Sequence, residues 1–251
     1  MSFVIELFVR RPIDVVSLLP QGRVSFDAAL SLQKDAESRV KAGGRETLFL
    51  LEHEDVITLG RNADRSELLA SEDHLARLGV ALCQTDRGGK LTYHGPGQLV
   101  AYPILDLSPD RMDVRRYVRD LEEVLIRTAA DFAVAAARSP LKNRWSSVWV
   151  GDEKLAAIGI HLSRWVTTHG VALNVTTDLA RFSLIVPCGI ADAGVTSLER
   201  QLGAEAAPTL PRAAMRFVAH FTAVFDREPV AQDAGTPAPA SIHEKCAGGP
   251  G

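Results

Sequence analysis

Cys188 sits in the run IVPCGI, between a proline and a glycine at the end of an apolar segment. A thiol in such a constrained turn could act as a nucleophile, provided a nearby cation favoured its thiolate and backbone N–H groups faced the oxygen of a thioester. The competing reading is a small buried hydrophobe, since cysteine is among the most buried residue types. Cys83, inside a strand pattern, fits that second reading more fully. Lys154 follows the turn Gly151-Asp152-Glu153 and stands at the mouth of a strand. By itself it reads as a solvated lysine, and no spacing pairs it with Cys188. His94, His161 and His169 match no zinc pattern, and Cys188 has no second cysteine nearby, so the reading contains no metal site.

The stretch Arg87 to Gln98, RGGKLTYHGPGQ, interleaves Gly88, Gly89, Gly95 and Gly97 with Arg87, Lys90, Tyr93 and His94. Glycines in this density suggest backbone N–H groups turned toward a ligand, although Gly-Pro-Gly is also ordinary turn chemistry. Neither the P-loop pattern nor the third glycine of the dinucleotide fingerprint is present, so nucleotide binding has no support.

Several elements must position these residues. Ser25 caps a helix running to about Lys41, which Gly43-Gly44 stops. Thr47–Leu51 and Val56–Leu59 read as strands of a buried sheet, separated by a charged turn at Glu52 to Asp55, and residues 61–79 as a loop with a short helix. Val80–Thr85 is a strand leading into the glycine-rich stretch, treated as a loop. Leu99–Leu105 has the apolarity of a central strand, with Pro103 demoting its far end to an edge or a bulge. Asp113 opens the clearest helix, with Val114, Val118, Leu121, Leu125 and Phe132 at helical spacing and Arg115, Arg116, Arg119, Glu122, Glu123 and Arg127 as its solvated face. Val148–Val150, Lys154–Leu162 and Val166–Val175 read as an antiparallel meander. Residues 176–200 are mixed, and Pro211 opens a last helix bearing Ala214, Phe217, Val218, Phe221 and Phe225.

The chain has 251 residues, 46% hydrophobic and 24% charged, with 28 basic against 31 acidic side chains and a formal net charge of -3. That balance suits one globular domain and gives no reason to expect a nucleic-acid or membrane surface. The expected division is a single domain over residues 1–229 and a disordered Ala/Pro/Gly-rich tail over 230–251, holding a dispensable Cys246. MSFVIELFVRRPIDV places its arginines after the apolar run, the reverse of a signal peptide, and reads as a strand. Three widely spaced cysteines fit a reducing compartment, and the expected location is the cytoplasm.

Three longer series carry a resemblance: RGGKLTYHGPGQLVAYPILDL from Arg87, KLAAIGIHLSRWVTTHGVALNV from Lys154 and IVPCGIADAGVTSLER from Ile185, with EHEDVITLGR from Glu52 as a weaker fourth. In order and spacing, over about residues 25–205, the chain resembles the lipoyl(octanoyl) transferase family. The resemblance implies an α+β fold, a mixed and largely antiparallel sheet packed with helices, as in biotin and lipoate protein ligase catalytic domains. It implies transfer of an octanoyl group from octanoyl-acyl carrier protein to a lysine of lipoyl domains, those of 2-oxoacid dehydrogenase complexes and of the glycine cleavage H protein. Cys188 matches the acyl-accepting cysteine and Lys154 the lysine paired with it. Arg87, Gly88, Gly89, Lys90, Leu91, Thr92, Tyr93, His94, Ala157, Ile158, Gly159, Gly170, Val171 and Ala172 match the segments lining the acyl site. The family uses no ATP, no cofactor and no metal, and the expected state is a monomer.

Within this reading Ala157, Ile158, Val171 and Leu173 are candidate walls of the acyl channel, and backbone N–H groups near His94, Gly95 or Gly159 candidate oxyanion donors. Arg87, Lys90, Lys142, Arg144 and Arg164 are candidates for docking acidic carriers. The chain departs from the family at Glu54, where a proline is usual, and at Ser146 to Val150, where Gly-Val-Trp-Val is usual; both concern the pocket rim. The alternatives are an ATP-dependent lipoate protein ligase, which has no need of the Cys188 thiol, and a non-catalytic module that binds acylated carrier protein.

Overall fold

The computed structural model describes residues 10–139, 147–186 and 194–231. The chain runs β1 (Arg11–Ser17), α1 (Phe26–Lys41), β2 (Glu46–Leu51), β3 (Val56–Leu59), α2 (Glu72–Arg77), β4 (Ala81–Gln84), β5 (Leu91–His94), β6 (Gln98–Ile104) and α3 (Val114–Ala130). It continues through β7 (Ala137–Arg138), β8 (Ser147–Val150), β9 (Glu153–Ser163), β10 (Val166–Asn174), β11 (Gly194–Val195), α4 (Leu198–Leu202), α5 (Leu210–Phe225) and β12 (Arg227–Ala231). The main sheet has the order β12-β1-β2-β6-β10-β9-β8-β7, with β11 joined to β9. Its β12-β1-β2 edge and the β11-β9 pair are parallel, and its other pairs are antiparallel. A small sheet, β4-β3-β5, stands beside it.

One face of the main sheet is covered by α1, whose Ala29, Ala36 and Val40 meet Phe49, Leu51, Val100 and Tyr102. The opposite face carries α3 and α5, packed on one another and on Leu48, Leu50, Leu99 and Leu173. Phe217, Phe221 and Phe225 recur every four residues along α5, so they share one stripe and stack, at 6.0 and 4.5 Å between ring centres. Ser25 caps α1 through the Ala28 N–H, Asp113 caps α3 through that of Arg116, and Thr209 caps α5 through that of Arg212.

The meander is present as β8-β9-β10; of the expected N-terminal strand, residues 1–9 lie outside the described residues, and Arg11–Ser17 form β1. Other expectations need correction. β2 and β3 belong to different sheets, and residues 52–55 carry the chain between them. The glycine-rich stretch is not all loop, because Leu91–His94 forms β5 against β3. β6 is the central strand expected, and at its far end only one side is interrupted: Pro103 still sits opposite Leu48, while the ladder to β10 stops at Ala101. The missing N–H of Pro103 falls at that interruption, and the ladder is replaced locally by the Thr167 hydroxyl, which donates to the Pro103 carbonyl and accepts from the Leu105 N–H. The buried stripe of α3 is Tyr117, Leu121, Val124, Leu125 and Thr128, so Val114 is exposed and Val118 half-buried off that stripe. At the other end, β12 pairs with β1 and extends strand structure to Ala231, past the expected boundary at 230. The remainder of the expected tail, including Cys246, lies outside the described residues.

Candidate active site

Arg87 organises the glycine-rich stretch from within. It is 7% exposed. Its guanidinium donates to the Thr58 carbonyl at 2.8 Å and hydroxyl at 2.8 Å, to the Lys90 carbonyl at 2.8 Å and to the Gly88 carbonyl at 3.0 Å. A planar fork of donors suits this role, since it satisfies several fixed carbonyls at once. The docking role expected for Arg87 is therefore incorrect. Gly159 on β9 leaves room for it, because a Cβ there would stand 3.0 Å from Arg87 Cδ. The Gly88 N–H donates to the Ile160 carbonyl at 2.8 Å, laying the stretch along β9, and the Gly97 N–H donates to Glu52 Oε1 at 2.7 Å. These two amides bond within the protein rather than facing a ligand. Gly97 has φ +79°, and a side chain there would run into the Thr176 backbone.

Between this stretch and the β9-β10 wall lies a cavity of about 170 Å³. Of the fourteen residues of the expected acyl-site set, all but Tyr93 border it, joined by Phe26, Tyr102, Val118, Ser147, Ile160 and His169. Strand alternation turns Tyr93 away from Thr92 and His94. Its hydroxyl donates to Asp55 at 2.8 Å and its ring meets Phe182 edge-on, and burial pushes its pKa up. Leu173 belongs to the core under α3 and α5 rather than to the cavity, which corrects its place as a channel wall.

Buried imidazoles stand at the cavity: His94 and His169 border it, and the His53 ring lies 5.7 Å from that of His94 between centres. His53 Nδ1 lies 2.8 Å from the Val24 carbonyl, which fixes the proton there, so Nε2 accepts from the Tyr102 hydroxyl at 2.7 Å. Burial lowers the His53 pKa to about 4 and, aided by the neighbouring His53, that of His94 to about 3. Both are neutral polar groups at neutral pH. His94 Nδ1 donates to Gln98 Oε1 at 2.7 Å, Gln98 Nε2 donates to Asn174 at 2.9 Å, and Asn174 Nδ2 donates to the Thr196 carbonyl at 2.9 Å. The Thr196 N–H in turn donates to the Lys154 carbonyl at 2.9 Å, so a continuous set of bonds leads from the cavity to Lys154. His169 has a left-handed backbone, φ 56°, held by its N–H to Gln33 Oε1 at 2.6 Å, and its Nε2 lies 2.7 Å from Asp86. That bond, above all, brings the Asp86 pKa to about 2. His161, half-buried, stands 3.7 Å from the same carboxylate.

Lys154 is 6% exposed, with Nζ 5.6 Å from the centre of the Trp149 ring. It does not border the cavity; Ala157, three residues along β9, does. Cys188 lies outside the described residues, as do Lys142 and Arg144. The chain on either side of Cys188 is fixed. Val186 N–H donates to the Glu67 carbonyl at 2.7 Å, and Gly194–Val195 pair in parallel with Glu153–Lys154. Cys83 is 2% exposed and packed against Phe26 and Val56, as its place in a strand pattern suggested. Lys90 is ion-paired with Glu67, and Arg164 is exposed in the β9-β10 turn. The sequence reading gave no role to Phe26, Gln98, Tyr102 or Asn174; for the last three the signal was a polar residue placed within an otherwise apolar strand, and for Phe26, at the start of α1, there was none.

A family model, the lipoyl protein ligase A/B catalytic domain, matches residues 26–222. The octanoyltransferase of Solibacter usitatus is 50% identical over 208 residues, covering 82% of this chain and 91% of that protein. The chain belongs to the octanoyltransferase family. A second relative, the octanoyltransferase of Chloroflexus aggregans, is 48% identical over 214 residues, 83% of this chain and 94% of its own. Among solved structures, a putative lipoate protein ligase from Thermoplasma acidophilum with bound lipoic acid superposes with a TM-score of 0.71, at 14% identity and 89% coverage of both chains. Lipoate-protein ligase A bound with ATP gives 0.69, at 16% identity and 90% coverage of both. At these identities the structures establish the shared fold, and the octanoyltransferase relatives establish the family and its acyl-transfer activity.

Proposed function

We propose that the protein transfers an octanoyl group from octanoyl-acyl carrier protein to a lysine of lipoyl domains through a thioester on Cys188. The Cys188 thiolate attacks the carrier thioester, the carrier thiolate leaves and takes a proton, and the octanoyl group stays on Sγ. The acceptor lysine amine then attacks that carbonyl, the amide forms, and Cys188 is released as thiolate. Thioester to thioester is nearly isoenergetic and thioester to amide is downhill, so no ATP is required. The Lys154 ammonium favours the thiolate and passes the proton of the attacking amine.

The observation that carries this reading is that segments far apart in sequence, 87–94, 157–160 and 169–172, converge on one cavity. The strand that follows Cys188 also pairs with Lys154 itself. The cavity is bordered by Leu91, Ile158, Ile160 and Val171, and an octanoyl chain gains about 0.8 kcal/mol for each methylene it buries there. Intact mass after mixing with octanoyl-carrier protein, without ATP or metal, tests it. The expected result is a gain of one octanoyl group, lost in Cys188→Ala and slowed in Lys154→Ala. Turnover that requires ATP and survives Cys188→Ala would instead identify a ligase.

A further inference from the structure

The N-terminal half of α3 carries charge and apolar surface that the core does not use. Val114 and Val118 are one helical turn apart, and Arg115 and Arg119 form a second line beside them, rotated by one residue. Both arginines are exposed, and among the described residues neither has a carboxylate within ion-pair distance. The acidic groups along this helix are otherwise engaged: the Asp113 carboxylate caps it, Glu122 pairs with Arg138, and Glu123 pairs with Arg127 and Arg138. Arg116 is different, because Asp120 lies 3.9 Å from it. Met112, 56% exposed, and Val114 add apolar surface at the head of the helix. Val118 then borders the cavity, whose lining also includes Ile158 and Ile160. The face of α3 that carries Arg115 and Arg119 thus includes, one turn from Val114, a residue of the cavity wall, on a chain whose net charge is -3.

We propose that this face of α3 docks the acyl donor, an acidic carrier protein bearing an octanoyl thioester, with Arg115 and Arg119 meeting its carboxylates. This deepens the proposed function and rests on it. The donor fits better than the acceptor because Met112, Val114 and Val118 give this face apolar surface next to the cavity wall, which suits an alkyl chain and would strip water from a lysine ammonium. Of the docking residues expected from sequence, Arg87 is buried and Lys90 is paired, and α3 offers the charge they do not.

Binding of octanoyl-carrier protein, titrated at low salt, reads the docking apart from catalysis. Arg115→Glu/Arg119→Glu is expected to weaken it on the order of tenfold, with the gap closing as salt rises, because exposed interfacial charges act through a screened field. The milder Arg115→Gln/Arg119→Gln should move it part of the way. Arg77→Glu/Arg212→Glu, an equal change of charge elsewhere on the surface, should leave it alone. In turnover, transfer from octanoyl-pantetheine, a small neutral donor, should be unchanged in the α3 variants. Carrier affinity that ignores the α3 substitutions, or wild-type protein that does not bind the carrier, overturns the proposal. So does a loss of affinity confined to the lipoyl-domain acceptor, or an equal loss with octanoyl-pantetheine. Failure of the proposed function reads differently: carrier binding that depends on α3, with no octanoyl adduct on the protein.

Discussion

Two arginines, buried to a similar degree, hold opposite ends of the molecule by different means. Arg227, 1% exposed, bonds carboxylates: Glu46 at 2.6 Å and Asp110 at 3.0 Å, with Arg11 joining the same cluster. It ties β12 and β2 across β1. Arg87 bonds the carbonyls of Thr58, Gly88 and Lys90 and the Thr58 hydroxyl. The first arrangement fastens strands whose positions the sheet already defines. The second gives shape to a glycine-rich stretch that has few side chains of its own to define one, so its loss should be felt in the site before it is felt in the fold.

The largest expected effect on stability comes from Arg227→Ala, which leaves the buried Glu46 with Arg11 as its remaining ion-pair partner among the described residues and the Asp106 N–H as a neutral donor. Urea unfolding should show a loss of about 3 kcal/mol, and Arg227→Met with Glu46→Gln should recover part of it. Arg87→Lys keeps the charge and loses the fork. It should cost about 1–2 kcal/mol of stability, and the acyl-transfer rate should fall by more than the folded fraction does. Equal losses in both measurements would erase the contrast between the two regions.

Acid should separate them as well. The folded His53 pKa, about 4, and that of His94, about 3, lie below the ordinary value of 6.5. Above 6.5 both states are neutral. Between 6.5 and the folded values the unfolded chain binds more protons, so stability falls as the pH is lowered through that window, by a few kcal/mol at most. Asp86, depressed to about 2, adds a loss only below its ordinary value of 3.8. Asp110 in the Arg227 cluster is also depressed, so that end weakens in the same lower range. A denaturant midpoint that is flat from pH 6.5 to 5 would contradict the buried neutral histidines. The smallest effect is Thr209→Ala, which removes the cap of α5, the helix leading into β12, and should lower stability by about 1 kcal/mol without touching transfer.

The helices and the meander were legible in sequence because each has its own local signal: Ser25 and Asp113 as caps, the phenylalanine stripe of α5, the turn at Gly151. What was not legible depends on distant partners. β5 is four residues inside a glycine-rich run, and only its pairing with β3 makes it a strand. β12 is a short segment with a proline, ordered by β1 and by Arg227. Pro103 looked disruptive because its tolerance depends on the Thr167 hydroxyl, 64 residues away. The expected acyl-site segments do meet around one cavity, whereas Arg87 and Tyr93, polar residues in a loop-like run, gave no sign that they would turn inward.

The parallel pairing of β1 with β12 has a mechanical consequence. Arg11 lies beside Arg227 and Val15 beside Ala231, so the backbone enters at one end of this two-strand ladder and leaves at the other. A force pulling residue 11 away from residue 231 therefore shears the ladder, loading its hydrogen bonds together instead of peeling them one at a time. Stretched between those points, the domain should yield only when the whole ladder and the Arg227 cluster give way at once.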